Sequence, residues 1–398
     1  MCGKPWEGES GPGLAPRRSV VIGAESVCST LLSVWLLGAA SLSLSASPID
    51  LPDSLVASGA EIEVLTAGRS FCEGPAVAPN GDLYYTELGT NPTMVYRIRG
   101  EGPPEVFMED GAGANGMVFV DGALIACRNG HVARIDTATG SATDLIADYN
   151  DITLGATNDL TTGPDGAIFF TNPNWGAPEP GNDVFRLSSE GKLTRIADGI
   201  NKPNGIEYDP DIGRCYLCVS GDNKVVVTEV GANGDPGEWR DFADIDNPDG
   251  IELDRYGNVY VVSFAHARIQ VYDTAGVSLG SIAFRSAGEQ FNTTNCTFGW
   301  GEKPYLYVTA SDRVFRLKMN VRGKRQYHQS QGVLPRGSSR GTPWGRKSRT
   351  PGSLRVLTGA SVSTEPMRGE VYTPAGRAVA VVSPGRTLSC GVILIGAQ

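Results

Sequence analysis

The sequence predicts an all-β protein, a six-bladed β-propeller built by repetition of one small structural unit. Three observations predict this fold: a turn followed by a strand recurs six times, each copy is followed by a second strand of related sequence, and helical periodicity is nearly absent. An irregular β-sandwich, the alternative all-β fold, does not predict six copies at a near-constant interval.

Each copy of the repeat begins at a tight turn and continues as an alternating, β-rich run. Successive turn residues are separated by 41, 44, 47, 44 and 47 residues, and they are Gly81, Gly122, Gly166, Gly213, Gly257 and Pro304. The second strands resemble one another, as in Val95–Ile98, Val184–Leu187 and Val314–Leu317. The run Glu61–Thr66 precedes the first copy, and we expect it to pair with the last blade and remove the free sheet edge.

The first 47 residues have the pattern of an export signal. Arg17 and Arg18 precede an interrupted apolar stretch from Leu31 to Ala46, which is too short and too polar to favour a permanent membrane span. We therefore predict that residues 1–47 are a leader cleaved between about Ser43 and Ser47, and that the mature protein is periplasmic or extracellular.

Charge separates the remaining chain into two parts. Residues 49–320 carry 39 acidic and 19 basic side chains, whereas residues 321–398 carry 12 Lys and Arg against two acids. An acidic body repels phosphate backbones, which argues against nucleic acid as a partner. We predict one propeller domain over residues 48–320, with repeats from about residue 61, acting as a monomer. The Gly-, Ser-, Pro- and Arg-rich tail 321–398 is predicted to be disordered.

Five cysteines lie in the predicted propeller. Cys215 and Cys218 have the spacing of a redox or zinc pair, but they lie in a strand-like run with no second pair. We predict that both are buried apolar residues without a chemical function.

A polar residue precedes each turn by seven to nine residues, where the innermost strand of a blade begins near the axis. These residues are Glu73, Asn115, Asn158, Asn204, Asp249 and Asn295. Any one of them could be an Asx-turn residue at a strand entrance. Six of them around one axis favour a metal site, because buried carboxylates that close must protonate, pair or bind a cation. Oxygen donors without His or Cys favour Ca²⁺ or Mg²⁺ over zinc.

Several short motifs resemble the gluconolactonase/regucalcin-like (senescence marker protein) family over about residues 61–320. They are Glu73-Gly74-Pro75, Asn158-Asp159-Leu160, Pro203-Asn204-Gly205 and Pro248-Asp249-Gly250. Diisopropylfluorophosphatase-like propellers share this layout. The resemblance implies a six-bladed propeller that hydrolyses sugar lactones. It also implies a tunnel cation, Ca²⁺ or else Mg²⁺, Mn²⁺ or Zn²⁺, bound by Glu73, Asn158, Asn204 and Asp249.

The sequence departs from the family pattern near the predicted site. Arg128-Asn129-Gly130-His131 stands where the family often has an acidic residue and a histidine, and Ala156 stands where the animal proteins have arginine. The four predicted metal ligands are retained. The identity of the lactone or ester therefore stays open.

We predict that Asp249 is the general base that deprotonates water beside the cation. Direct attack by its carboxylate is the alternative. Asn115 and Trp175 are the predicted substrate contacts, and His266 is left out of the site because a lone histidine at a strand end is usually structural. Two other functions remain open, a phosphotriesterase or arylesterase on the same metal, and a non-catalytic metal-binding propeller that binds a partner.

Overall fold

The structure is a computed structural model that describes residues 47–176, 181–231, 233–286, 289–300 and 304–325, and the backbone of 370–372 and 378–381. The predictions of export, of leader cleavage and of a disordered tail concern residues that lie almost entirely outside these ranges.

Six antiparallel sheets follow one another along the chain, which confirms the predicted six-bladed propeller. Two strands precede the first blade, β1 (Ile49–Asp50) and β2 (Ile62–Thr66). Blade one contains β3 (Cys72–Val77), β4 (Leu83–Glu87), β5 (Met94–Ile98) and β6 (Pro104–Met108). Blade two contains β7 (Ala114–Val120), β8 (Ala123–Arg128), β9 (His131–Ile135) and β10 (Ala142–Ile146). After the hairpin β11 (Asp148–Tyr149) and β12 (Ile152–Thr153), blade three contains β13 (Leu160–Thr162), β14 (Ile168–Asn172), β15 (Asp183–Leu187) and β16 (Leu193–Ala197).

Blade four contains β17 (Pro203–Asp209), β18 (Arg214–Val219), β19 (Lys224–Glu229) and β20 (Arg240–Asp244). Blade five contains β21 (Pro248–Leu253), β22 (Val259–Ser263), β23 (Arg268–Tyr272) and β24 (Ser278–Ala283). After the hairpin β25 (Arg285–Ser286) and β26 (Glu289–Gln290), blade six contains β27 (Thr293–Phe298), β28 (Tyr305–Ala310) and β29 (Val314–Lys318). Three short 3₁₀ turns lie at Pro164–Gly166, Ser220–Asp222 and Phe264–His266. A separate hairpin pairs β30 (Glu370–Tyr372) with β31 (Ala378–Val381).

The ring of blades is closed by the strand that precedes the first repeat. β2 pairs antiparallel with β29 and becomes the outer strand of blade six, as predicted for Glu61–Thr66. Pairing of this early strand with β29 joins the first and last blades and covers the edge that β29 would otherwise leave unpaired.

Six hydrophobic clusters hold the blades together, one at each interface between neighbouring blades. Tyr84 and Phe119 pack between blades one and two, and Tyr260 and Phe298 between blades five and six. Successive residues of a strand point to opposite faces, so each middle strand is apolar on both sides and contributes to two clusters. Cys215 and Cys218 are buried in two such clusters as free thiols, which confirms their predicted apolar packing.

The chain stays packed on the propeller beyond the predicted boundary at residue 320. Val321 is 2% exposed, the backbone N–H of Arg255 donates to the Arg322 carbonyl at 2.8 Å, and Gly323 forms a bridge with Asp254. Lys324 and Arg325 make ion pairs with propeller carboxylates. The packed chain therefore extends at least to Arg325, because these side chains neutralise acids that the blades bury.

No helix within the described ranges is both long and apolar enough to cross a bilayer.

Candidate active site in the central tunnel

Five predicted site residues from five different blades line one cavity of about 370 Å³: Glu73, Asn115, Asn158, Asn204 and Asp249. Each lies at the start of the inner strand of its blade, or just before it. Trp175 lines the same cavity and is 49% exposed. The structure thus brings together every residue that we predicted to bind metal or substrate.

A glycine after the ring residue lets neighbouring inner strands approach closely. A Cβ on Gly74 would lie 1.8 Å from the Asn115 carbonyl oxygen, and one on Gly205 would lie 2.3 Å from that of Asp249. The strand pairing shifts register at this step, as between Glu73 and Ala76. These bulges turn the ring side chains toward the axis, which explains why the sequence repeats an acid or amide followed by glycine.

The sixth ring position is Thr294, not the predicted Asn295. Thr293 pairs with Ala310 just as Pro248 pairs with Ser263, so Thr294 corresponds to Asp249 and Asn295 to the following glycine. The Thr294 hydroxyl donates to the Cys72 carbonyl at 2.7 Å. Asn295 lies one step deeper in the tunnel, beside Asp159.

The ring contains two carboxylates, of which Glu73 is buried and Asp249 is half-buried, and their negative charges repel each other. Burial raises the pKa of Glu73, and so does the charge of Asp249. Burial and the charge of Asp159 raise the pKa of Asp249, while a hydrogen bond with Asn204 lowers it. Burial likewise raises the pKa of Asp159 to about 6. In this cavity a bound cation would stabilise both ring carboxylates in their charged forms.

The Asn204 amide is oriented by a neighbouring serine that the sequence reasoning missed. Ser220 donates its hydroxyl hydrogen to the Pro248 carbonyl at 2.5 Å and therefore accepts from Asn204 Nδ2 at 3.1 Å. The amide oxygen of Asn204 is thus left as an acceptor. Ser220 follows β18 directly, at a position where the repeat gives no signal.

The mouth of the cavity is mostly apolar. It is lined by Phe71, Leu88, Trp175 and Phe264, with Asn247 as a polar neighbour. Lys202 Nζ lies 5.7 Å from the Trp175 ring centroid, a cation–π distance. His266, which we left out of the site, contacts Asp246 at 2.7 Å and is not among the residues that line the cavity.

The donor set of the ring fits a hard divalent cation. Glu73 and Asp249 supply carboxylate oxygens, Asn158 and Asn204 supply amide oxygens, and the described lining contains no His or Cys. No group of three His, Cys, Asp or Glu side chains forms a metal site in the described chain. The ring differs from such groups, because two of its four donors are amides.

The chain is similar in sequence to a known protein family and to known lactonases. A family model for the SMP-30/gluconolactonase/LRE-like region matches residues 71–312. A gluconolactonase from Zymomonas mobilis is 26% identical over 310 residues, which cover 68% of this chain and 85% of that protein. A pentonolactonase from Haloferax volcanii is 25% identical over 248 residues, which cover 60% of this chain and 81% of that protein.

Solved structures show the same architecture. A gluconolactonase from Xanthomonas campestris has 26% identity and a TM-score of 0.62, covering 69% of this chain and 96% of that one. Regucalcin from Agrobacterium tumefaciens, a calcium-binding protein, has 20% identity and a TM-score of 0.57, covering 67% and 95%, and shares the fold. With the family match extending across all six blades, the chain belongs to the SMP-30/gluconolactonase/LRE-like family.

Proposed function

We propose that this protein is a divalent-cation-dependent hydrolase that opens a sugar lactone. The observation that carries the proposal is the ring itself, in which the carboxylates of Glu73 and Asp249 and two amides from four blades line one solvent-accessible cavity. The similarity to gluconolactonases and a pentonolactonase supports a lactone as the substrate.

Glu73, Asn158, Asn204 and Asp249 would hold the cation. Ca²⁺ is the first choice because all donors are oxygens, Mg²⁺ and Mn²⁺ follow, and Zn²⁺ is the least favoured without nitrogen or sulfur donors. A bound cation would supply Lewis-acid stabilisation of the charge that develops on the lactone carbonyl oxygen.

Asp249 takes a proton from the attacking water. The water oxygen then bonds to the carbonyl carbon, the bond from that carbon to the ring oxygen breaks, and the proton passes to the alkoxide that leaves. Asn204 holds Asp249 in place by a hydrogen bond, and Ser220 holds Asn204.

The mouth provides the surfaces that would hold the substrate. The apolar C–H face of a sugar ring would pack against Phe71, Trp175 and Phe264. Its hydroxyls would hydrogen-bond to the amide of the half-buried Asn115. This combination of apolar surfaces and an amide suits a small, cyclic, polar ester.

The proposal is tested with purified full-length protein stripped by a chelator. We expect hydrolysis of gluconolactone, corrected for its spontaneous reaction, to be lost on stripping and restored by Ca²⁺. An unchanged rate without cation would contradict the metal role. A phosphotriester hydrolysed faster than any lactone would favour the phosphotriesterase alternative, and cation binding without turnover of either substrate would favour a non-catalytic propeller.

We also propose that the protein is exported, on the basis of the apolar run that follows Arg17 and Arg18. Mass spectrometry of the mature N-terminus tests this. A mature chain that still begins at Met1 would contradict it.

A further inference from the structure

A second polar layer lies below the ring, three residues further along the inner strands. Glu207 and Glu252 follow Asn204 and Asp249 at this spacing, and Asp159 reaches the same layer from blade three. All three carboxylates belong to buried residues. Three acids so close together require a positive charge or protons.

The positive charge is supplied by the chain itself. Arg325 lines this layer, and its Nη2 lies 2.5 Å from Glu207 Oε2 and 3.1 Å from Thr161 Oγ1. The Thr161 hydroxyl in turn donates to Glu207 Oε1 at 3.0 Å. Although burial opposes the charge of Arg325, the charges of Glu207 and Glu252 raise its pKa. The free space left in the layer is about 20 Å³, roughly the room that one water needs.

Two further contacts fix the segment that carries this arginine. Lys324 Nζ lies 2.9 Å and 3.0 Å from the two Asp209 carboxylate oxygens and 3.1 Å from Asp211. Gly323 forms a bridge with Asp254. Asp209 and Asp254 lie at or just after the ends of inner strands that begin at the ring. The segment 321–325 therefore reaches the tunnel from the end opposite the cavity mouth.

We propose that residues 321–325 form a C-terminal plug, in which Arg325 is the permanent cation of the lower layer. It supplies the positive charge that Asp159, Glu207 and Glu252 would otherwise have to take from protons or from a cation in solution. Arg325 is thus a positioning residue, because it confines exchangeable metal to the ring above, where the cavity is open to substrate.

The test compares Ca²⁺ binding by chelator-stripped, full-length variants in titration calorimetry. Arg325→Met removes the charge and keeps a long side chain, so we expect it to bind one more Ca²⁺ per chain than the parent. Arg325→Lys keeps a cation and should bind the parental number. Arg325→Met/Glu207→Gln removes one acid as well and should also return to the parental number. Because the readout is a difference from the parent, it stands apart from the proposed lactonase activity.

A folded Arg325→Met protein with parental stoichiometry would overturn the proposal, as would a double variant that also gains an ion. If Arg325→Met does not fold, the double variant decides the question. Rescue of folding by Glu207→Gln supports charge compensation as the role of Arg325. Failure of that rescue means that Arg325 acts by packing alone and contradicts the proposal.

Discussion

The ring and the lower layer lie three residues apart on the inner strands of blades four and five, and both place acids on the tunnel axis. The lower layer contains Arg325 and about 20 Å³ of free space, whereas the described lining of the ring has no basic side chain and opens into about 370 Å³. An acid layer compensated by its own chain is a structural element. A layer of acids that is open to solvent can exchange a cation and admit a substrate. We therefore assign the catalytic reaction to the ring.

The two layers should differ most in how much lactone turnover is lost when one acid of each layer is replaced by its amide. Asp249→Asn keeps an oxygen donor but removes the base, so we expect turnover of the lactone to fall by about 10²–10⁴-fold while cation binding weakens modestly. Glu207→Gln is the matched control and should leave turnover within a few-fold of the parent. Steady-state kinetics at saturating Ca²⁺ measures both, and equal losses would remove the distinction between the layers.

Two truncations should distinguish the contribution of the plug to stability from that of the rest of the tail. A chain ending after Asn320 loses Lys324 and Arg325 and leaves Asp209 and Glu207 buried without their partners. Breaking buried pairs in this way costs about 3–5 kcal/mol of unfolding free energy.

A chain ending after residue 330 keeps both ion pairs and is the control. We expect it to unfold in urea at nearly the parental midpoint. Equal midpoints for the two truncations would show that the plug contributes nothing to stability.

Replacement by alanine should lower the free energy of unfolding more at the glycines beside the ring than at glycines in turns between strands. Gly74 has φ +47° and its added Cβ would collide with the Asn115 carbonyl, whereas Gly122 has φ +79° with nothing within 4 Å. Both alanine variants carry left-handed backbone strain of about 1–2 kcal/mol. Only Gly74→Ala adds an overlap, for which we expect a further ~1–3 kcal/mol. Denaturant unfolding of both variants measures the difference, and equal losses would argue against close contact at the ring.

Most of the ring could be predicted from the sequence, and the plug could not. The period of the repeat places Glu73, Asn115, Asn158, Asn204 and Asp249 at equivalent starts of inner strands. The sixth position was wrong by one residue, because six residues (299–304) connect the first two strands of blade six, whereas five (254–258) connect those of blade five. Arg325 lies in a basic segment whose composition favours disorder, and its partner Glu207 is about 120 residues away in the sequence. Only the folded propeller brings them together.

Substitution of the predicted substrate contacts should have the smallest effect on lactone hydrolysis. Asn115→Ala removes one amide and Trp175→Ala one apolar face, so each should raise KM by about 2–10-fold, the value of one hydrogen bond or a partly exposed contact, with kcat nearly unchanged. Tyr256→Ala is a control for an exposed aromatic residue away from the cavity. A KM that stays parental in both mouth variants would place substrate elsewhere.

The most direct test of the account is the position of the metal itself. Crystals grown with Mn²⁺ as a substitute for Ca²⁺ should show one anomalous peak in the tunnel, within bonding distance of oxygens from Glu73, Asn158, Asn204 and Asp249, with Arg325 still against Glu207. A tunnel without a peak at the ring, or a peak in the lower layer with Arg325 displaced, would contradict the assignment of the ring as the cation site.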